Sequence, residues 1–280
     1  MSSMPDTTHA PGNRSRNDSR PVRLTKKRKR KLNRPLVIQN DQVISLYFDA
    51  RGVQSTMLRH DPTVLALGYT RTMMGFLLFR PSPRRISMIG LGGGSLAKYC
   101  YRHLPDTSIT AVEINPDVIA LRDLFKLPRD DDRFRVVCGD GAQYVKVADH
   151  RQDVLLVDGF NADGLPAELG SKTFYEACRR RLSDDGILVA NLVTDEPEFH
   201  SYLRSLREVF ANSVALAPSE GSEHNVTVFA WNGPDGLPSF TSMLDRAHAL
   251  QYTHPVNLHA TATRIEYGRK FDWNRYDGQC

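Results

Sequence analysis

The sequence has no apolar run approaching the roughly 20 residues of a membrane span, so no membrane association is expected. It has only four cysteines in 280 residues, Cys100, Cys138, Cys178 and Cys280. They lie far apart and form no C-x-x-C pair, which argues against a disulfide framework or a cysteine zinc site and fits a reducing cytoplasm. No apolar segment follows the N-terminal charges, so no secretory signal is expected. His200, His224, His254 and His259 show no metal-ligand spacing, and no metal is expected. No internal repeat is visible.

The net charge of +5 at first suggests a nucleic-acid binder. Its distribution argues otherwise. Of 37 basic and 32 acidic residues, 11 and 2 fall in 1–34, leaving 26 and 30 in 35–280. The tail is therefore net +9 and the body net −4. Residues 1–34 are rich in Ser, Pro, Asn, Arg and Lys with almost no apolar side chains. Such a segment buries too little surface to offset its ordering entropy, so it reads as a disordered basic tail. The run Lys26–Lys31 reads first as a solvated segment and otherwise as a contact for RNA, DNA or anionic lipid, and the tail is the one place where nucleic acid contact is considered.

From Leu36 the texture changes. Leu36–Ile38, Val43–Asp49 and Val53–Met57 read as a small antiparallel β unit, and Val64–Phe79 as a helix. A regular alternation follows. Strands are expected at Ile86–Ile89, Ile109–Val112, Phe134–Cys138, Val154–Val157 and Ile187–Leu192. Helices are expected between and after them at Ser95–His103, Pro116–Phe125, Ala142–Ala148, Lys172–Leu182 and Glu198–Phe210. Val214–Ala217 and Val226–Trp231 read as a closing hairpin. The last 45 residues hold one more helix, Phe240–Leu250, and an irregular polar end. The fold class is α/β, a doubly wound, mainly parallel sheet with a small N-terminal antiparallel β unit. The chain divides into the tail (1–34), the β unit with its helix (35–79), a nucleoside-binding catalytic domain of methyltransferase type (80–250) and a C-terminal extension (251–280).

Open parallel sheets bind ligands at the carboxyl ends of their strands. After the first strand comes Gly90-Leu91-Gly92-Gly93-Gly94-Ser95, a tight turn that exposes backbone N–H groups at a helix N-terminus. After the second comes Glu113, 21 residues past Gly92, placed to accept hydrogen bonds from a ribose diol. After the third comes Gly139-Asp140-Gly141, where Asp140 suits an adenine amino group, a helix N-cap, or both. After the fourth comes Asp158. The spacing Gly92-x-Gly94-x-x-Ala97 also fits a dinucleotide fingerprint. An adenosyl-sulfonium site is preferred, because Asp140 and Asp158 add acids at strands three and four and no second half-sheet for a nicotinamide follows.

With these residues in order, the chain resembles the polyamine aminopropyltransferases, the spermidine synthase family, over about residues 43–232. The resemblance runs through Phe48-Asp49 with Gln54, the helix segment Tyr69 to Met74, Gly92 to Gly94, Glu113-Ile114-Asn115, Asp117-Val118-Ile119, Gly139-Asp140-Gly141 and Asp158. It implies transfer of an aminopropyl group from decarboxylated S-adenosylmethionine to an amine such as putrescine, releasing methylthioadenosine. It implies Asp158 as base, Glu113 on the ribose, and Asp140 and Gly141 at the adenine. Gln54, Gly90, Gly92, Gly94 and Ser95 complete the co-substrate site, and Tyr69, Thr70, Asn161 and Asp163 line the acceptor. A homodimer is also expected, with Phe271, Trp273 and Tyr276 packing on the body or at the dimer contact.

Two departures stand out. The family carries Asp where this chain has Ser95, and a second Asp where it has Asn161; Ala162 and Leu165 stand where Pro is usual. The adenosyl half is retained, and two charged anchors for the amine half are missing, so weaker binding or a different acceptor is expected. Asp163, Glu220 or Glu223 substitute by position. Two other readings follow. One is a methyltransferase using intact S-adenosylmethionine, because Ser95 does not repel the donor's carboxylate. The other is a non-catalytic nucleoside-binding protein. The 219–225 segment reads equally as a polar loop or a lid.

Overall fold

β-branched and aliphatic runs at the start of the body pair as an antiparallel sheet. In the computed structural model, β1 (Leu36–Gln39), β2 (Val43–Tyr47) and β3 (Val53–Leu58) lie in the order β1-β2-β3. The structure describes residues 34–49, 52–147, 150–211, 213–233 and 237–273. The tail reading, Arg34 apart, and Tyr276 lie outside the described residues.

The second sheet has seven strands in the order β6-β5-β4-β7-β8-β10-β9. These are β4 (Arg85–Ile89), β5 (Ser108–Glu113), β6 (Phe134–Cys138), β7 (Gln152–Val157), β8 (Leu182–Val193), β9 (Val214–Pro218) and β10 (Asn225–Trp231). The first five pair in parallel, and β10 joins β8 and β9 antiparallel as the expected closing hairpin. Helices cover both faces: α2 (Ser95–His103), α3 (Pro116–Ile119), α4 (Gly141–Val147), α5 (Lys172–Arg181), α6 (Phe199–Phe210), α7 (Phe240–Leu250) and α8 (Leu258–Lys270). Strand side chains alternate between two cores, Val154 and Leu156 of β7 in one, Leu155 and Val157 in the other. Both faces are thus apolar, which is why the strands read as continuous hydrophobic runs. The first core also takes in Ile44, Leu46 and Met57 of the N-terminal sheet and Leu258, Ala262 and Ile265 of α8. No helix among the described residues is long and apolar enough to cross a membrane.

Three expectations need correction. The helix expected over Val64–Phe79 is α1 (Gly68–Met73) followed by a 3₁₀ turn, Met74–Leu78. The Arg71 guanidinium turns back to the carbonyls of Leu65 and Ala66, 2.7 and 3.0 Å away, and holds 64–67 out of the helix. Gly68 then meets the Glu220 backbone so closely that a Cβ would lie 1.6 Å from its carbonyl oxygen. The helix expected over Pro116–Phe125 stops at Ile119. Beyond it the chain turns, with Lys126 at φ 56°, so that Phe125 and Leu127 pack beneath Gly93 and Gly94. The described part of the segment expected to be irregular is helical: α8 lies on β9 and the 3₁₀ turn. Its buried stripe, Leu258, Thr261, Ala262, Ile265 and Gly268, has helical spacing but small side chains, so its hydrophobic signal is weak. Trp273 follows, buried, donating its indole N–H to the Gly268 carbonyl at 2.8 Å, which is packing on the body.

Candidate active site

The sheet order reverses between β4 and β7, so a crevice opens at their carboxyl ends. The glycine turn there joins β4 to α2, with Gly90, Gly92 and Gly94 at φ 96°, 52° and 69°. At Gly90 a Cβ would sit 2.1 Å from the Asp158 carbonyl oxygen, so only glycine lets the turn and the end of β7 approach this closely. Gly94 is the N-cap of α2, and Ser95 begins the helix. The Ser95 hydroxyl is nearly buried and lies 3.5 Å from that of Ser55 on β3. The small N-terminal sheet therefore reaches the glycine turn.

Glu113 ends β5 and is buried. Its Oε2 accepts from the Leu91 N–H at 3.0 Å and its Oε1 from the Asn115 N–H at 2.8 Å, so it braces the glycine turn from the side. Burial raises its carboxyl above the ordinary value, against backbone N–H groups of Asn115, Leu91, Gly92 and Ile114 that favour the charge. Asp140 Oδ1 accepts from Ala142 N–H at 2.8 Å and caps α4, whose first residue is Gly141.

Asp158 follows β7 and is half-buried, with both carboxylate oxygens engaged. Tyr69 of α1 donates its hydroxyl to Oδ2 at 3.0 Å, and Asn191 of β8 donates its amide to Oδ1 at 3.0 Å. The Tyr69 hydroxyl also stands 3.4 Å from the Gln54 carbonyl, which places Gln54 beside it. Burial raises the Asp158 carboxyl above the ordinary carboxylate value, and the Asn191 and Tyr69 hydrogen bonds pull it partly back. Burial and the neighbouring carboxylate hold the Tyr69 phenol protonated, well above its usual value.

Other expected residues sit differently. Thr70 is buried, and its hydroxyl donates to the Leu67 carbonyl at 2.5 Å within its own turn. Asn161 shapes the loop after β7: its Oδ1 accepts from Asp163 N–H at 2.7 Å, and its backbone pairs with Gly164. Asp163 is exposed on that loop. Glu220, considered as a substitute anchor, is taken by Arg71, which reaches its Oε1 at 2.9–3.0 Å. The pairing engages one oxygen of this partly exposed carboxylate. Glu223 is exposed. Among the described residues no group of three or more His, Cys, Asp or Glu could hold a metal ion.

Sequence reasoning missed Asn191, although an amide inside the apolar strand Ile187–Leu192 was a signal. It also missed Glu196, whose Oε1 accepts from the Leu165 N–H at 2.8 Å and anchors the loop after β7.

A doubly wound sheet with a glycine turn and carboxylates at successive strand ends defines the class, an α/β fold of the methyltransferase type. The family model described as "Spermine/spermidine synthase domain" matches residues 66–220. A polyamine aminopropyltransferase of Neisseria meningitidis (serogroup A / serotype 4A) is 38% identical over 225 residues, 80% of this chain and 85% of that protein. The chain belongs to the spermine/spermidine synthase family. In structure it is similar to human methyltransferase-like protein 13 in complex with SAH (TM-score 0.60, 26% identity, 66% of this chain and 91% of that one). It is also similar to a spermidine synthase in complex with the transition-state analogue AdoDATO (TM-score 0.61, 20% identity, 85% and 88%).

Proposed function

We propose that the protein transfers an aminopropyl group from decarboxylated S-adenosylmethionine to an amine acceptor such as putrescine and releases methylthioadenosine. The observation that carries this reading is Asp158, a half-buried carboxylate held on both oxygens beside the glycine turn. The family supplies the reaction class; the N. meningitidis relative is itself named for aminopropyl transfer. The acceptor arrives as an ammonium ion. Asp158 holds this cation and takes one of its protons. The freed lone pair forms a bond to the aminopropyl carbon, the carbon–sulfur bond breaks, and its electrons return the sulfonium to a neutral thioether. A carboxyl raised by burial is a better proton acceptor near neutral pH than an ordinary one, and holding both reactants in line contributes further.

In this reading the 80–250 domain holds the adenosyl half of the donor. Glu113 takes the ribose, Asp140 and Gly141 the adenine, and Gly90, Gly92, Gly94 and Ser95 the tail. The 35–79 unit brings Gln54 to the donor and Tyr69 to the acceptor, with Asn161 and Asp163 at the outer rim, while Thr70 supports the turn that carries Tyr69. In the expected 251–280 extension, α8 packs on β9 and the 3₁₀ turn. Cytoplasmic location, a homodimer, and nucleic acid contact confined to residues 1–34 belong to the same reading. Sedimentation and RNA binding by a chain lacking the tail test the last two.

The deciding experiment incubates purified protein with each donor and a panel of amines. Methylthioadenosine from the decarboxylated donor supports the proposal. Adenosylhomocysteine from intact S-adenosylmethionine, with no methylthioadenosine, identifies a methyltransferase. Stabilisation by methylthioadenosine without turnover identifies a nucleoside-binding protein.

A further inference from the structure

Asp158 is braced by residues that converge on one loop. Its Oδ1 is held by the Asn191 amide, which has two orientations, one donating to the carboxylate and one presenting an oxygen that repels it. The orientation is set by Asn225, whose amide donates to Asn191 Oδ1 at 3.1 Å and so directs the Asn191 nitrogen at Asp158. Asn225 is set in turn by Ser222, whose hydroxyl donates to Asn225 Oδ1 at 2.8 Å while accepting from the Asn225 N–H at 3.0 Å. Register makes this possible: Asn225 and Thr227 of β10 stand opposite Val193 and Asn191 of β8, so the two asparagines are diagonal neighbours.

The other oxygen leads back to the same loop. Tyr69 lies on α1, and α1 is tied to Glu220. Arg71 bonds its carboxylate at 3.0 Å, and Thr72 accepts from its backbone N–H at 2.9 Å. The loop, residues 219–225, thus holds Oδ1 through Ser222, Asn225 and Asn191, and Oδ2 through Glu220, α1 and Tyr69.

We infer that Asn191 and Asn225 are positioning residues for the transfer reaction, and that the 219–225 loop orients the Asp158 carboxylate through them. The inference rests on the reading of Asp158 as the base. The titratable side chain facing Asp158 is Tyr69 of α1; Asn191 of β8 is uncharged, the Gly90–Gly94 turn carries no ionisable side chain, and Asp163 on its own loop is exposed.

The test is a double-mutant cycle on the full chain, following methylthioadenosine release from decarboxylated S-adenosylmethionine and putrescine. N225A is expected to lower kcat about tenfold, the scale of one hydrogen bond to a charged group, with KM for the donor little changed. The acid limb of the pH profile moves upward. In an N191A background N225A then adds no further loss, because its effect passes through Asn191. N225D is expected to be worse than N225A, since a carboxylate there draws the Asn191 nitrogen away and turns its oxygen on Asp158. If N191A does not fold, as judged by circular dichroism and methylthioadenosine binding, S222A carries the cycle against N225A. Additive losses, an unmoved acid limb, or an N225D variant milder than N225A overturn the relay. D158N run in parallel separates the two claims: full activity in D158N rejects the base, whereas an inactive D158N with additive losses rejects only the relay.

Discussion

Replacing Tyr69 by Phe removes one oxygen and leaves the ring that packs against the core. The lost hydroxyl is the 3.0 Å donor to Asp158 Oδ2. A hydrogen bond to a charged group contributes about 1.5–3 kcal/mol. That support is withdrawn from the ionised carboxylate and not from its protonated form, so burial acts with less opposition and the Asp158 carboxyl rises further. The acid limb of the kcat/KM profile should therefore move upward by about one to two pH units, one unit being about 1.4 kcal/mol. Below the limb kcat/KM should fall about 10- to 100-fold, with a smaller change on the plateau above it. The assay is methylthioadenosine release between pH 5 and pH 9, with thermal unfolding as the control for the fold. A Y69F variant that is stable, less active and unmoved in its acid limb would show that Tyr69 does not act through the Asp158 charge, and the reasoning would fail.

Asp158→Asn should lower turnover about 100- to 10,000-fold and at the same time stabilise the protein at neutral pH. A carboxyl raised by folding contributes stability below its unfolded value that is lost as pH rises through the folded value, whereas the amide has nothing to lose. The unfolding midpoint of the variant should exceed that of the parent at pH 7 and converge with it at pH 4; the opposite order would contradict the burial argument. Glu113→Gln should weaken methylthioadenosine binding about tenfold or more by calorimetry, and unchanged affinity would remove Glu113 from the ribose. Gly90→Ala should cost about 3 kcal/mol or more in urea unfolding, because its Cβ would lie 2.1 Å from the Asp158 carbonyl oxygen; a neutral result would mean the turn can relax.

Much of the site was legible because its residues lie at strand ends, and strand ends are marked locally. Gly90 to Gly94, Glu113, Asp140 and Asp158 each follow an apolar run, and each run is a strand of the central sheet. Helices with a strong apolar stripe, α2 and α7, were legible to their end residues. α8 was not, because Thr261, Ala262 and Gly268 bury backbone and small groups against β9 without a large apolar signal. The short α1 and α3 were overextended, because their ends are decided by Arg71 reaching back to Leu65 and by Phe125 and Leu127 packing under the glycine turn.

The amino-acid sequence by itself determined the alternating α/β order, the glycine turn, the succession of acids along it and the absence of acid at Ser95 and Asn161. These are local properties of composition and spacing. Tertiary structure alone decided which polar groups are spent on one another. Arg71 pairs with Glu220, Asn191 reaches Asp158, and Asn225 reaches Asn191, each from a segment far along the chain. Such contacts depend on strand order and register, and a hydrogen bond 3 Å long forms only where folding brings distant segments to that distance.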